Sequence, residues 1–234
     1  MFKKVYPGVD EAVADIPDGA SIAIGGFFTA GTPAPLIQAL ARQEAKDLTI
    51  ICQQMGPGSE DLTTLVLNNQ VKKAICNYPF YRSVSRGVDD PFEQAVRTGK
   101  IELEVYPMGT FIEKLRAGGA GLAGFYTPTG VGTVVEAGKE KKLFGEQEYL
   151  LELAVKPDYS FVYAYQGDRL GNLICRKTAR NYNPEMAKAA RVTIAAVENL
   201  VEAGGLNPDM VHVPGVYVQR VVEVERPTYL PTAQ

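Results

Sequence analysis

Apolar runs and amphipathic segments alternate through the first half of the chain, and each apolar run has the length of a single strand. The predicted strands are Ser21–Ile24 and residues 47–53, 71–76 and 101–106. The segments between them that have helical spacing or helix-start signals are residues 33–42, 61–69, 90–99 and 110–118. Repeated strand–helix units of this kind predict a mostly parallel sheet with helices packed on its faces.

Two of these helices carry start and stop signals. The sequence DPFE from Asp90 is a capping box with proline at the first helical position, and Gly99 suits the end of that helix. The sequence TFIE from Thr110 is a second capping box, so a helix is predicted to begin there and to close at Gly118.

The second half of the chain has a different pattern of apolar residues. It predicts a hairpin around residues 145–147 and a β-branched strand near the end of the chain that pairs into the sheet. The predicted elements are strands at residues 141–144, 148–153, 159–165, 192–197 and 216–224, and a short helix that starts at Asn183. No repeat, low-complexity segment or linker divides the chain. The prediction is one α/β domain over residues 1–234, with a single open, mostly parallel sheet, helices on both faces, and a flexible tail at roughly 225–234.

The junction after the first strand is the leading candidate for a binding site. Ser21–Ile24 is predicted to be a buried strand, and Gly25 and Gly26 keep side chains away from its carboxyl end. Thr32 can cap the following helix, and Pro33 suits its first position. This arrangement predicts bare backbone N–H groups and a helix N-terminus, which suit an anion, a phosphate or a developing oxyanion.

Composition narrows the class of partner. Apolar residues make up 46% of the chain and charged residues 22%, and the net charge is −3, which is ordinary for a soluble globular protein. No basic run points to nucleic acid, and no apolar stretch approaches the ~20 residues of a membrane span. The basic N-terminus has no apolar core after it, so it does not resemble a signal peptide.

Cysteine and histidine usage gives no metal site. Cys52, Cys76 and Cys175 are far apart and odd in number, and the chain has neither a CxxC motif nor a cysteine–histidine cluster. Buried reduced thiols and a cytoplasmic location are therefore expected. The single histidine, His212, lies in a β-branched run and is expected to be a packed or edge residue.

A GxGxxG string at Gly119, Gly121 and Gly124 raises the alternative of a dinucleotide site. Its context argues against that alternative, because a helix is predicted before it and a loop after it. The chain also lacks the GxxxxGK[ST] motif of phosphate-binding loops.

The glycine turn after the first strand points to one family. The sequence around GGFFTAGTP resembles the signature of the alpha subunit of family I coenzyme A transferases. Gly25, Gly26, Phe27, Gly31 and Pro33 occupy fixed positions of that signature. Residues 118–133, 167–184 and 214–221 resemble three further blocks of the same family, in the same order. The resemblance implies the CoA-transferase, or sugar-isomerase-like, fold.

The resemblance also implies a reaction and a partner. Enzymes of this family move CoA between an acyl-CoA, such as succinyl- or acetyl-CoA, and a short or 3-oxo carboxylic acid, through a glutamyl-CoA intermediate. The nucleophilic glutamate belongs to a different signature, on the beta subunit, and neither Glu136 nor Glu202 matches it. The resemblance therefore implies that this chain carries no catalytic nucleophile and no permanent cofactor, and that its substrate is a CoA thioester. It also implies that the chain needs a beta subunit, in an αβ pair or a dimer of such pairs.

Side-chain amides help to stabilise the oxyanion in this family, and two positions here depart from its pattern. Gln53 and Gln54 stand where an asparagine pair is expected, and Met108, followed by Gly109, stands where a glutamine is expected. A thioether cannot donate a hydrogen bond. The resemblance thus implies an oxyanion or acyl pocket at these four residues, beside a CoA or substrate wall formed by Gly25, Gly26, Phe27, Gly31, Thr32 and Pro33.

Several alternatives stay open at this level. Met108 motivates a CoA-thioester or C–C hydrolase on the same scaffold, and a non-enzymatic small-molecule-binding role is the third hypothesis. The aromatic residues of segment 78–90, with Arg82 and Arg86, can line an acyl pocket or form a surface contact. The basic group that comprises Arg176, Lys177, Arg180 and Asn181 can bind an anion or hold its own loop against the sheet.

Overall fold

Residues 4–55, 60–80 and 90–226 are described by this computed structural model, and they contain eleven strands and six α-helices. The strands are Ser21–Ile24 (β1), Leu48–Gln54 (β2), Val71–Tyr78 (β3), Glu102–Val105 (β4), Gly124–Thr127 (β5), Lys141–Phe144 (β6), Gln147–Leu153 (β7), Tyr159–Asp168 (β8), Leu173–Ile174 (β9), Val192–Val201 (β10) and Arg220–Glu223 (β11). The helices are Val9–Val13 (α1), Ala34–Gln43 (α2), Glu60–Leu67 (α3), Pro91–Arg97 (α4), Met108–Gly119 (α5) and Asn183–Ala189 (α6).

Eight strands form the main sheet, in the order β11-β10-β8-β1-β2-β3-β4, with β9 added to β8. Every neighbouring pair along this order is parallel, and only the short β9 runs antiparallel to its partner. The open, mostly parallel sheet predicted from the strand–helix alternation is confirmed.

Helices cover both faces of the main sheet, as predicted. Alternate residues of each central strand enter different cores: Ile22 and Ile24 belong to one, whereas Ala23 belongs to the other. Helices α1 to α4 pack into the first core, and α5 and α6 pack into the second. Burial on both faces explains why the strands appear as continuous apolar runs in the sequence.

A second, three-stranded antiparallel sheet has the order β5-β7-β6. The predicted hairpin is confirmed, since Phe144 pairs with Gln147 at its tip. The loop predicted after the GxGxxG string is wrong in part, because Gly124–Thr127 is a strand paired with β7. A helix, α5, precedes that string and a strand follows it, so the rejection of a dinucleotide motif is confirmed.

The two predicted capping boxes behave differently. Asp90 caps α4, since its Oδ1 accepts a hydrogen bond from the Phe92 N–H at 3.0 Å. The prediction at Thr110 is wrong, because α5 begins at Met108 behind Pro107 and Thr110 lies within its first turn, 4% exposed. Proline at the N-cap has an extended ψ of 143°, so the helix starts directly after it.

The predicted tail strand is also shorter than expected. Only Arg220–Glu223 is a strand, and Gly215–Tyr217 forms a 3₁₀ turn. The predicted flexible tail lies largely outside the described residues, as do Arg82 and Arg86 of segment 78–90. The single-domain boundary stays a prediction.

A buried ion cluster joins α5 to the small sheet. Glu152 of β7 is 1% exposed and pairs with Lys114 of α5 at 2.9 Å and with Lys139. Both ammonium groups lie over the Tyr106 ring, the Lys114 Nζ at 4.2 Å from its centroid. The carboxylate therefore has two cationic partners in a site that water barely reaches.

All three cysteines are buried and free, and we predict that they are unreactive in the native protein. Burial raises the pKa of Cys76 to about 12 and that of Cys175 to about 11, and it raises the pKa of Cys52 as well. Fewer than about one thiol in a hundred is then ionised at pH 8, and the thiolate is the reactive form. A colorimetric disulfide reagent should label none of them within minutes, but all three in urea. Rapid labelling of any one in the native state would contradict this expectation.

Candidate active site

The glycine turn follows β1, at the point in the main sheet where the helices after two neighbouring strands pack on opposite faces. Strand β1 lies between β8 and β2, and the helix after β1, α2, packs on the opposite face from α6, which follows β8 and β9. Such a switch point leaves a crevice outside the carboxyl ends of the two strands, where ligands of open α/β sheets bind. The crevice at Gly25 is therefore the position at which the topology favours a site.

Asn183 holds the glycine turn against the rest of the fold. Its Oδ1 accepts the Tyr163 N–H of β8 at 2.9 Å. Its Nδ2 donates to the carbonyl oxygens of Gly31, at 2.9 Å, and Ala179, at 2.8 Å. Since Asn183 is 1% exposed, all three bonds are shielded from water, and one amide joins β8, the turn and the segment before α6.

Two of the turn's glycines are required by that close approach. A Cβ at Gly25 would lie 2.1 Å from the Asn183 Oδ1. A Cβ at Gly31 would lie 2.6 Å from the Ala179 carbonyl oxygen, and Gly31 has a φ of +73°, which favours glycine. Packing against residues 179–183 thus explains why Gly25 and Gly31 are glycines.

The cap predicted for the following helix is wrong. The Thr32 hydroxyl donates to the Phe28 carbonyl, at 2.5 Å. Pro33 is the N-cap residue, so α2 starts one residue later than predicted, at Ala34.

The bare N–H groups expected at this helix start are already used within the protein. The N–H groups of Ala34 and Leu36 donate to the carbonyls of Thr32 and Pro33 at 2.9 and 3.0 Å, and Pro35 has no N–H. An anion at this helix end therefore finds fewer donors than the sequence suggests, and side chains become the more important donors.

Two glutamines at the carboxyl end of β2 border the crevice. Gln53 and Gln54 are each 3% exposed, and they line a small cavity together with Gly25, Gly26 and Thr32. Its volume of about 10 Å³ is the space of about one water molecule. The Gln53 Oε1 has no hydrogen-bond partner among the described residues. A buried amide with an unused oxygen is a polar group that a ligand or a water can satisfy.

The other predicted pocket residues lie apart from this cavity. Met108 and Gly109 begin α5 after β4, with β3 between β4 and β2, and Met108 is 52% exposed. Neither residue lines the cavity at the glutamines. The structure thus brings Gln53 and Gln54 to the glycine turn, and it leaves the second predicted pocket position at an exposed edge.

An aromatic stack adjoins the glycine turn, since Phe27 directly follows Gly26. Phe27 is 37% exposed and stacks on Tyr182, with ring centroids 6.4 Å apart and an interplanar angle of 12°. The Tyr182 ring also meets Phe111 edge-on at 6.2 Å. Burial raises the pKa of the Tyr182 phenol, so this group stays protonated and can donate.

Asn77 is a site residue that the sequence reasoning missed. Its Nδ2 donates to the Tyr182 hydroxyl at 3.4 Å, and its buried Oδ1 has no partner among the described residues. It lies near the carboxyl end of β3, the strand next to β2, which carries the two glutamines. The available signal was a polar residue at the end of a strand predicted to be parallel and buried.

The basic group divides between structural and exposed members. Arg176 pairs with Glu198 at 3.2 Å and lies over the Tyr165 ring, and Asn181 donates to the Ala30 carbonyl of the glycine turn at 2.8 Å. The remaining two members, Lys177 and Arg180, are exposed and form no ion pair among the described residues. Arg176 and Asn181 therefore make contacts that hold their loop in place, as one of the two alternatives predicts, whereas Lys177 and Arg180 do not.

His212 is partly buried, and its Nδ1 accepts the Cys175 N–H at 3.0 Å. It is packed, as predicted. Within the ranges 4–55, 60–80 and 90–226, no three cysteine, histidine or acidic side chains are grouped in a way that could hold a metal ion. In the same ranges, no helix combines the length and apolarity that crossing a bilayer requires.

Comparison with known proteins gives consistent matches. The profile of the family described as "Coenzyme A transferase" matches residues 7–224. The A subunit of the probable succinyl-CoA:3-ketoacid coenzyme A transferase of Bacillus subtilis is 45% identical, covering 94% of this chain and 89% of the relative. The A subunit of the 3-oxoadipate CoA-transferase of Pseudomonas putida is 43% identical, covering 96% and 95%.

Solved structures share the fold. An acyl-CoA transferase of Escherichia coli O157:H7, solved as a thioester complex with CoA, has a TM-score of 0.81 at 24% identity; it covers 95% of this chain, which spans about half (47%) of that longer chain. Glutaconate coenzyme A-transferase of Acidaminococcus fermentans also has a TM-score of 0.81, at 21% identity, with 95% and 76% covered. The decarboxylase AibA/AibB, solved as a cysteine-to-serine variant, has a TM-score of 0.78 at 26% identity, with 96% and 84% covered.

Proposed function

This chain belongs to the coenzyme A transferase family, and we propose that it is the A subunit of a two-chain enzyme that moves CoA from succinyl- or acetyl-CoA to a short or 3-oxo carboxylic acid. The observation that carries the proposal is the match, over nearly the whole chain, to relatives that are themselves named as the A subunits of such enzymes. Those relatives are named for succinyl-CoA:3-ketoacid and 3-oxoadipate CoA transfer, which gives the proposed substrate class.

The site chemistry supports a division of labour between two chains. None of the described residues that line the cavity at the glutamines carries a carboxylate. In the proposed reaction a glutamate of the beta chain attacks the thioester carbonyl, the CoA thiolate leaves, and an acyl anhydride forms. The thiolate then attacks the glutamyl carbonyl, releases the first acid, and gives glutamyl-CoA. The acceptor carboxylate reverses these two steps and leaves as the new thioester.

Each of these steps develops negative charge on a carbonyl oxygen. The amide N–H groups of Gln53 and Gln54 are the buried neutral donors that this chain offers beside the glycine turn. Met108 offers no N–H or O–H in its side chain, so its position contributes no such bond.

We predict that Gln53→Leu lowers kcat of the assembled enzyme by about 10²–10³ while KM for the acyl-CoA changes much less, since an oxyanion donor acts mainly in the transition state. Steady-state kinetics with both substrates measures this split. Met108→Leu is the matched control, because neither side chain donates, and its kcat should stay within about twofold. A Gln53→Leu enzyme with unchanged kcat would remove Gln53 from the proposed oxyanion site.

Co-expression with the candidate beta subunit, followed by a CoA-exchange assay, tests the function itself. Exchange should require both chains and both substrates. Borohydride treatment after exposure to acyl-CoA should inactivate the enzyme by reducing the glutamyl thioester, and mass spectrometry should find the modified glutamate on the beta chain. Modification of this chain instead would contradict the proposal.

The hydrolase alternative, which the exposed Met108 motivates, differs in one measurable product. A hydrolase releases free CoA from the thioester without an acceptor acid, whereas a transferase needs the acid. Free thiol and the new acyl-CoA are both measured with and without the acid in the assembled pair. New acyl-CoA that forms only with the acid, with no free thiol in either condition, eliminates the hydrolase.

A further inference from the structure

Asn77 stands at the carboxyl end of β3, beside Gln53 of β2. The register of this parallel pair, in which Gln54 lies opposite Tyr78, sets Gln53 opposite Asn77. Opposite residues of neighbouring parallel strands share a face of the sheet and are about 4.8 Å apart. The shared face is the one that α5 and α6 cover, since Ile51, two residues before Gln53, belongs to the core beneath those helices. Two amide side chains therefore lie next to each other at the end of the sheet.

Each of these two amides has a buried oxygen without a hydrogen-bond partner among the described residues. The atoms are the Gln53 Oε1 and the Asn77 Oδ1. Gln53 is 3% exposed, whereas Asn77 is partly exposed, so a ligand can reach it. Folded proteins rarely leave a buried acceptor unpaired, because the free energy of its lost hydration is then not recovered. The two oxygens side by side indicate a place where a bound molecule supplies a donor.

The Tyr182 hydroxyl adds a donor next to Asn77. Its oxygen accepts the Asn77 Nδ2–H at 3.4 Å, and residues 4–55, 60–80 and 90–226 show no acceptor for its own proton. The phenol keeps that proton, since burial raises its pKa. The ring is held by the stack on Phe27 and by the edge contact with Phe111. The position of the free O–H is therefore fixed by the fold.

Space for a ligand at Gln53 lies on the side of β3. On the side of β1 the turn is filled, because a Cβ at Gly25 would lie 2.1 Å from the Asn183 Oδ1 and the remaining cavity has a volume of about 10 Å³. On the side of β3, Asn77 is partly exposed and Tyr78 is 39% exposed. A carbon chain attached to a carbonyl at Gln53 therefore extends toward Asn77. A substituent two carbons away from that carbonyl lies within the strand spacing of ~4.8 Å.

We propose that Asn77 and Tyr182 form a specificity site for a hydroxyl group on the third carbon of the acceptor acid. The inference rests on the proposed function, which places the reacting carbonyl at Gln53. An alcohol accepts the Tyr182 O–H and donates to the Asn77 Oδ1, so it uses both free groups. A ketone accepts but cannot donate, and a methylene group does neither. A 3-hydroxy acid is therefore the preferred acceptor among acids that differ only at this carbon.

Three acceptor acids test this preference with the assembled enzyme, namely butyrate, 3-oxobutyrate and 3-hydroxybutyrate, the last as the faster of its two enantiomers. The donor is succinyl- or acetyl-CoA, whichever the enzyme uses. The kcat/KM for 3-hydroxybutyrate should exceed that for each of the other acids by at least about tenfold, since a site that hydrogen-bonds a substrate hydroxyl rejects analogues without it. Equal kcat/KM for the three acids, or a preference for 3-oxobutyrate, would overturn the inference.

Two variants test the residues. Tyr182→Phe removes the hydroxyl and keeps the aromatic contacts, and Asn77→Leu removes the acceptor. Each should bring the ratio of kcat/KM for 3-hydroxybutyrate to that for butyrate close to one. Tyr159→Phe is the matched control and should keep the wild-type ratio, because it removes a phenolic hydroxyl at the amino end of β8, away from the crevice. If Tyr182→Phe and Asn77→Leu instead slow the reaction of every acid in the same proportion, the two residues are structural and the inference is overturned.

Binding measurements separate this inference from the proposed function. If the wild-type pair transfers CoA to none of the acids, the proposed function fails, and isothermal titration calorimetry of the same pair with the three free acids decides the inference. Tighter binding of 3-hydroxybutyrate than of butyrate, lost in Tyr182→Phe, would support the hydroxyl site. Equal binding of the acids by the wild type, or no binding of any of them, would overturn it.

Discussion

Replacing Asn183 with leucine is expected to destabilise the protein by about 3 kcal/mol or more, although the two side chains have similar size. The substitution removes the three buried hydrogen bonds that Asn183 makes, with the Tyr163 N–H and with the carbonyls of Gly31 and Ala179. Each buried polar group left without a hydrogen bond costs about 1–3 kcal/mol. Urea denaturation followed by circular dichroism measures the change in the free energy of unfolding.

The matched control for this experiment is Asn199→Ala. Asn199 is exposed and makes a single bond, to the Tyr165 carbonyl at 3.1 Å, so its loss should cost no more than about 0.5–1 kcal/mol. Transferase activity should also fall with Asn183→Leu, because the same amide positions the glycine turn. Stability within about 1 kcal/mol of the wild type would show that solvent or local relaxation satisfies the three groups, contrary to the geometry described above.

The second large effect is expected at Glu152. Glu152→Leu removes the only carboxylate that the structure shows beside Lys114 and leaves that ammonium 5% exposed and without an ion-pair partner among the described residues. Breaking a buried ion pair by removing one partner typically costs about 3–5 kcal/mol. Lys139, which is 20% exposed, has an easier path to water and adds less. Urea denaturation again measures the loss.

Two further variants test the physical reason for this loss. Glu148→Gln, on the same strand, changes an exposed carboxylate 3.9 Å from Lys141, and it should cost less than about 1 kcal/mol. The double variant Lys114→Met/Glu152→Leu removes both buried charges, so it should recover much of the stability lost in Glu152→Leu. A double variant as unstable as Glu152→Leu would mean that lost packing, and not the unpaired charge, dominates.

Helix starts show why local patterns were sufficient in some places and not in others. Asp90 caps α4 as predicted, because the cap bond joins groups only two residues apart. Thr32 has the same ability, yet its hydroxyl bonds to Phe28 inside a turn that is packed against residues 179–183. Local capping chemistry identifies a donor or acceptor, whereas the folded surroundings select its partner.

In the candidate site, too, the sequence identified some residues and not others. The family resemblance indicated that Gln53 and Gln54 belong to a pocket with the glycine turn, and in the structure they line one cavity with Gly25 and Gly26. The sequence could not place Met108, since the distance from β2 depends on β3 lying between the strands. It also gave no indication that Asn77 and Tyr182 share a hydrogen bond, because they are 105 residues apart.

The sequence by itself therefore determined the parallel sheet, its two covered faces and the membership of the coenzyme A transferase family, since these depend on apolar runs and on motifs that are contiguous in the chain. Only the tertiary structure decided why the glycines are needed. Gly31 lies 152 residues from Asn183, and neither residue carries a sign of the other in the sequence. Their contact uses up the local donors and acceptors, so the turn that suggested an anion cradle is first of all a junction between β1, β8 and α6.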